Sequence, residues 1–260
     1  MNPVPAAGSP GSDALGARAG TENSPPHPLD NAIHSALVGP HSHFAEQRGN
    51  ALRYPVDMSP FMALPDRPDE ADWEDLEALG GPGAKMTLSG PALEPPAGWD
   101  VVTRIPLLQF VDDGTTPAPY DEALRLGQAD VPDMLALAER TRPGPFLPRT
   151  IEMGTYLGVR REGRLVAMAG ERMHVAGWTE ISGVCTDPEW RGQGLGTRLL
   201  LAVAATIHER GETPFLHVLA TNTNAVRLYE SLGFRLRLRT ELLSLSKRGD
   251  RPDHAGGGAV

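Results

Sequence analysis

Residues 190–200 read WRGQGLGTRLL: Arg191 precedes glycines at 192, 194 and 196 and Thr197, directly ahead of a leucine-rich run. Glycine at a helix start costs conformational entropy, so its repetition implies backbone that approaches another group closely or turns tightly. A helix start also offers unpaired N–H groups and a positive dipole end, and glycines ahead of it let a diphosphate come near. Two familiar phosphate loops fit poorly. A Walker-type loop requires a Lys-Ser or Lys-Thr pair, which this segment lacks. The dinucleotide fingerprint G-x-G-x-x-G nearly fits from Gly192, but Thr197 occupies its third glycine and DPEW separates the loop from the strand before it.

The elements around this segment follow from hydrophobic pattern. TEISGVCT (179–186) is a predicted strand. A long amphipathic helix follows, with Leu195, Leu199, Val203 and Ile207 at four-residue steps and Gly211 at its end. PFLHVLA is a strand, NAVRLYESLG a short helix closed by Gly233, and FRLRLRTELLSLS a long last strand. Upstream, QADVPDMLALAERTRPG is a helix opened by Asp130, and residues 154–175 hold two strands around the turn REGR. Alternating strands and helices predict an α+β fold: a mixed, mostly antiparallel central sheet flanked by helices.

VCTDPEWRGQGLGTRLL resembles the acetyl-CoA pyrophosphate motif of the GNAT superfamily of N-acetyltransferases, with Arg191, Gly194 and Gly196 matching in order. NTNAVRLYESLGF resembles that superfamily's second signature, an Asn-led helix with a Leu-Tyr pair and a terminal Leu-Gly-Phe. The resemblance covers residues 124–246, about half of the 260-residue chain. It implies that the backbone from Gly192 through Gln193, Gly194, Leu195 and Gly196 to Thr197 grips the diphosphate of acetyl-CoA, with Arg191 adding charge. Val184, Cys185 and Thr186 would meet the pantetheine arm and thioester carbonyl, on a strand that splays from its neighbour in this superfamily. Asn222 or Asn224 would bond the cofactor chain, or else cap the helix.

Acetyl transfer to an amine needs the amine deprotonated, the carbonyl oxygen's growing charge met by fixed donors, and the leaving thiolate protonated. Tyr229 stands where the family places its general acid, and a phenol of pKa about 10 remains protonated at neutral pH. Three residues compete as the base. Alternation puts Glu180 on one strand face with Ser182, Val184 and Thr186, and Cys185 opposite. His217 suits proton removal. Glu171 could bind the substrate cation or act as base, and a water chain could replace all three. Cys185 reads as a small buried apolar residue rather than a nucleophile. No histidine spacing indicates a metal site.

The chain divides by composition. Residues 1–29 and 247–260 are rich in Pro, Gly and small residues and are expected to be disordered. Residues 30–111 form a small α+β region of unassigned role, with predicted helices at NAIHSALV (opened by Asp30), SHFAEQRG and DEADWEDLEALGG and strands at KMTLSG and WDVVTRIPLLQFV. Residues 112–123 are a linker. A formal net charge of −9 disfavours nucleic acid as a partner. The opening residues lack a signal-peptide core, no run approaches the ~18 apolar residues of a membrane span, and the single cysteine fits a reducing, cytoplasmic setting. A homodimer is left open. In FRLRLRTELL, Arg235, Arg237 and Arg239 share a face and are expected in solvent, at the cofactor phosphates or at a second subunit. The expected activity is N-acetylation of a small-molecule or peptide amine by direct attack; the alternative is an inactive acyl-CoA-binding sensor.

Overall fold

The computed structural model describes residues 26–90 and 93–249. Its first part comprises α1 (Ala32–Val38), β1 (Glu46–Arg48), β2 (Ala51–Arg53), β3 (Phe61–Ala63), α2 (Glu70–Gly80), β4 (Met86–Leu88) and β5 (Trp99–Asp112). Then come β6 (Leu124–Arg125), α3 (Val131–Thr141), β7 (Tyr156–Arg161), β8 (Arg164–Val175) and β9 (Trp178–Thr186). The chain continues through α4 (Leu195–Glu209), β10 (Thr213–Leu219), α5 (Thr223–Ser231) and β11 (Phe234–Lys247). Among the described residues, the strands form one 11-stranded sheet in the order β1-β2-β3-β4-β11-β5-β10-β9-β8-β7-β6. All but two of its neighbouring pairs are antiparallel; β3–β4 and β9–β10 are parallel.

Side chains alternate between two helical layers. On β10, Leu216 packs with α4 residues, whereas its neighbour Phe215 packs with α1 residues. α5 lies on the α4 face through Ala225, Val226 and Tyr229, and α3 covers the other face through Met134 and Leu137. α4 buries Leu195, Leu199, Leu200, Val203 and Ile207 completely or nearly so. Each such burial is worth about 1.5–3 kcal/mol, so the helix tolerates the ~1 kcal/mol cost of a glycine at its start.

The composition break at 112–123 does not separate two sheets. β5 pairs with β11 from Trp99 to Asp112 and with β10 from Leu107 to Val111, so it lies inside the sheet that carries residues 124–246. Leu108 and Phe110 pack on the α4 face and Val111 on the other. A strand apolar on both faces is buried on both, and WDVVTRIPLLQFV is such a strand at its C-terminal end.

Other expectations are corrected locally. SHFAEQRG is not helical: a single turn at Ser42–Phe44 leads into β1. Asp30 does not cap α1; it lies within the turn Pro28–Asn31, where its carboxylate accepts from the His27 amide. The expected disordered tails fall largely on residues 1–25 and 250–260, outside the described residues, but residues 27–29 and Lys247 are ordered parts of that turn and of β11. Arg237 is not solvated. A bulge between Leu236 and Leu238 interrupts alternation, and Arg237 turns inward to Gln109 and Asp30, while Arg235 pairs outward with Asp113.

Candidate functional site

The parallel register of β9 and β10 covers only Thr213↔Trp178, Pro214↔Thr179 and Phe215↔Glu180. Beyond it the strands part, and a cleft of about 830 Å³ opens between residues 181–186 and residues 217–219. Backbone edges that leave a ladder still carry donors and acceptors, so the gap is a template for an extended polar ligand.

A bulge decides what faces this gap. Met168 pairs with Cys185 and Gly170 with Ser182, so residues 183 and 184 oppose Ala169 alone, and Gly183 takes φ +66. The extra residue resets the alternation. Ile181 and Val184 both pack toward α4, and Thr186 lies beside Gly196 of that helix. Cys185 packs with α3, and Glu180, in register with Phe215, lies on the α1 side. Glu180 therefore does not share a face with Val184 and Thr186, and Cys185 is not opposite Glu180. Burial pushes the Cys185 thiol up to about 11, which leaves little thiolate at neutral pH.

The glycine segment forms one end of the cleft. Gly192 and Gly194 adopt φ +78 and +72, conformations that L side chains avoid. Gly194 is the N-cap of α4 and no side chain caps the helix, so its first N–H groups remain available to an anion. A Cβ on Gly196 would stand 3.2 Å from Thr186 Oγ1, which shows how closely helix and strand approach. Arg191 donates from Nε to the Thr186 carbonyl at 3.3 Å and, like Val184, Cys185, Thr186, Leu195, Gly196 and Thr197, lines the cleft. Gln193 is exposed and is not among the lining residues; its carbonyl accepts from Arg198. This donor set, a bare helix start with one arginine and a close-packed glycine, fits a diphosphate.

At the other wall, α5 presents Tyr229 and Asn222. Tyr229 packs against Phe110 and Phe234, and burial raises its phenol pKa, which keeps the proton on. Asn222 caps α5 by accepting from the Ala225 amide at 3.2 Å, and it lines the cleft as well. Asn224 is exposed and does not line the cleft.

The three base candidates separate clearly. Glu171 accepts from Arg210 at 3.0 Å, from Thr206 and from the Thr155 amide, which ties β8 to α4 away from the cleft. It is a buried ion pair with Arg210 that does not line the cleft. Glu180 is fully buried and clasped by Arg172 through Nε and Nη2 at 2.8 and 2.7 Å. Burial alone would raise its pKa, but Arg172 and the His217 hydrogen bond outweigh that and hold it down at about 2. So weak a base is unsuited to accept an amine proton.

His217 lines the cleft, with Nδ1 2.8 Å from Glu180 Oε1. Its Nε2 is 3.1 Å from Gln109 Nε2. The Gln109 amide is oriented by its other bonds: Oε1 accepts from Arg237 at 2.6 Å and Nε2 donates to the Leu29 carbonyl at 2.8 Å. His217 Nε2 therefore accepts, and its proton sits on Nδ1 toward Glu180. Arg172, Gln109 and Phe61, the last beneath the Arg172 guanidinium at 5.1 Å, were not singled out by sequence. The one available signal was Gln109 itself, a lone polar residue in the run IPLLQFV. Among the described residues, no group of three or more His, Cys, Asp or Glu could hold a metal, and no helix is long and apolar enough to cross a membrane.

A family model described as FR47-like protein matches residues 156–243. A mycothiol acetyltransferase from Nocardiopsis dassonvillei is 32% identical over 190 residues, 66% of this chain and 54% of that protein. The chain thus spans about half the length of that relative. The ribosomal protein bS18-alanine N-acetyltransferase of Escherichia coli is 30% identical over 115 residues, 42% of this chain and 77% of that protein. A crystal structure from Novosphingobium aromaticivorans, described as a GNAT-family acetyltransferase, is 43% identical with a TM-score of 0.78, over 85% of this chain and 99% of that one.

Proposed function

Since this chain belongs to the GNAT family of N-acetyltransferases, we propose that it moves an acetyl group from acetyl-CoA to a primary amine by direct attack. The observation that carries this reading is the cleft itself: it runs from the uncapped start of α4, along the splayed edge of β9, to both Tyr229 and His217. Acetyl-CoA supplies the activated acyl group as a thioester. The amides of Gly192 and of residues 194–197, with Arg191, hold its diphosphate, and the Val184–Cys185 backbone meets the carbonyl oxygen. His217 takes the amine proton at Nε2, exchanging its contact with Gln109 for one with the acceptor. Glu180 is a positioning residue: it fixes the Nδ1–H tautomer and stabilises the imidazolium that forms. Tyr229 donates a proton to the departing sulfur.

Both a small-molecule amine and a peptide or protein amine are compatible with this reading, because one relative is named for mycothiol and another for an alanine of ribosomal protein bS18. The single cysteine suits a reducing cytoplasm. Calorimetric titration with acetyl-CoA tests the cofactor claim, with saturable binding expected. No binding at millimolar ligand would overturn it. Thiol release with a panel of amines then tests turnover.

A further inference from the structure

A second, smaller pocket adjoins the acetyl-transfer cleft. The two share Phe61, Leu107, Arg172, His217 and Leu242 as common wall, so they lie on either side of the imidazole. Beyond that wall the smaller pocket is closed by Leu29 and Ile33 from the N-terminal turn and α1, and by Met173 of β8. These closing residues are buried, and the pocket's free volume is about 40 Å³. The charged groups on its lining are neutralised by partners: Asp30 is paired with Arg237, and Arg172 with Glu180. The Gln109 amide, also on the lining, is engaged on both atoms.

We propose that this pocket is the acceptor subsite, and that it selects a primary amine bearing a compact, uncharged apolar substituent. The inference rests on the acetyltransferase reading above. His217 Nε2 points to Gln109, which lines the smaller pocket and not the cleft, so an amine that takes the place of that contact carries its substituent toward the smaller pocket. A short aliphatic group gains roughly fourfold in affinity per buried methylene there. A charged group finds no unpaired counter-charge and loses its hydration. The pocket's far wall also gives residues 28–63 a role: they shape the acceptor site that β9, β10 and α4 leave open.

Two acceptor sources share this chemistry, a free small amine and the first residue of a peptide. The test is therefore run with two sets of amines at saturating acetyl-CoA. One holds the amides of alanine, valine, leucine, aspartate and lysine; the other holds short peptides beginning with the same residues. Thiol release is followed and acetyl-CoA affinity is measured in parallel. At least about 100-fold higher kcat/KM for alanine, valine or leucine than for aspartate or lysine is expected. The set that turns over identifies the source. Ala32→Leu, at a residue that lines the smaller pocket and not the cleft, narrows the pocket and is expected to raise KM for the preferred amine tenfold or more with unchanged acetyl-CoA affinity. Transfer that varies less than threefold across the substituents overturns the subsite, as does acetyl-CoA binding with transfer to none of them. Failure to bind acetyl-CoA at all would instead remove the underlying acetyltransferase reading.

Discussion

Glu180 Oε1 and His217 Nδ1 are joined at 2.8 Å across the point where two parallel strands separate. The carboxylate is already committed to Arg172, so the arrangement holds the imidazole in place, and the proposed mechanism gives the base role to His217 alone. Replacing His217 by Gln retains the strand and removes the proposed proton acceptor. The expected loss in kcat is about 10²–10⁴-fold with acetyl-CoA affinity unchanged, measured by thiol release and calorimetry.

Glu180→Gln has a different signature. It puts a neutral amide where the carboxylate paired with the buried Arg172 guanidinium, and breaking such a pair typically costs about 3–5 kcal/mol. Urea denaturation is expected to show that loss together with a fall in kcat. A variant as stable as the wild type would mean that the Arg172 charge is met elsewhere.

Tyr229→Phe removes one hydroxyl from a ring that keeps its contacts with Phe110 and Phe234. Acetyl-CoA binding and thermal stability are expected to hold while kcat falls at least tenfold. An unchanged rate would end the assignment of Tyr229 as the acid.

Legibility followed the range of each signal. The glycine turn ahead of α4 is legible because its cause is local: left-handed backbone at residues 192 and 194 demands glycine in the sequence itself. The place of Tyr229 on the short helix that walls the cleft is legible from the motif around it. The face of Glu180 was misjudged because alternation presumes an unbroken ladder, and Gly183 inserts a residue. The sheet position of β5 and the inward turn of Arg237 were hidden for another reason. Both depend on pairing between residues more than a hundred positions apart, to which local patterning is blind.

Gly196→Val tests the helix start. The first added carbon would lie 3.2 Å from Thr186 Oγ1 and 3.8 Å from Val184 Cγ1, and the two further methyls must occupy the cleft. Acetyl-CoA affinity is expected to fall at least 100-fold in calorimetry, with the circular dichroism spectrum unchanged. Gly192→Ala separates strain from crowding. Nothing lies within 4 Å of its Cβ, so only the φ +78 backbone resists the change, at roughly 1–2 kcal/mol.

A final prediction concerns pH and a residue remote from the proposed chemistry. His41 is buried with Nδ1 2.9 Å from the Tyr54 hydroxyl, and its ring lies 5.2 Å from that of His174. Burial, reinforced by His174 and His43, lowers its pKa to about 3. The unfolded chain, with a histidine pKa near 6.5, binds a proton there that the folded chain refuses. His41 therefore contributes stability in full above about pH 6.5, and that contribution is lost progressively as the pH falls toward 3. Between pH 7.5 and 5 the expected loss from this residue is about 2 kcal/mol. Urea midpoints at the two pH values, compared between the wild type and His41→Asn, isolate it: the variant should be less stable at pH 7.5 but lose less on acidification. An equal loss in both proteins would show that the imidazole accepts its proton without unfolding.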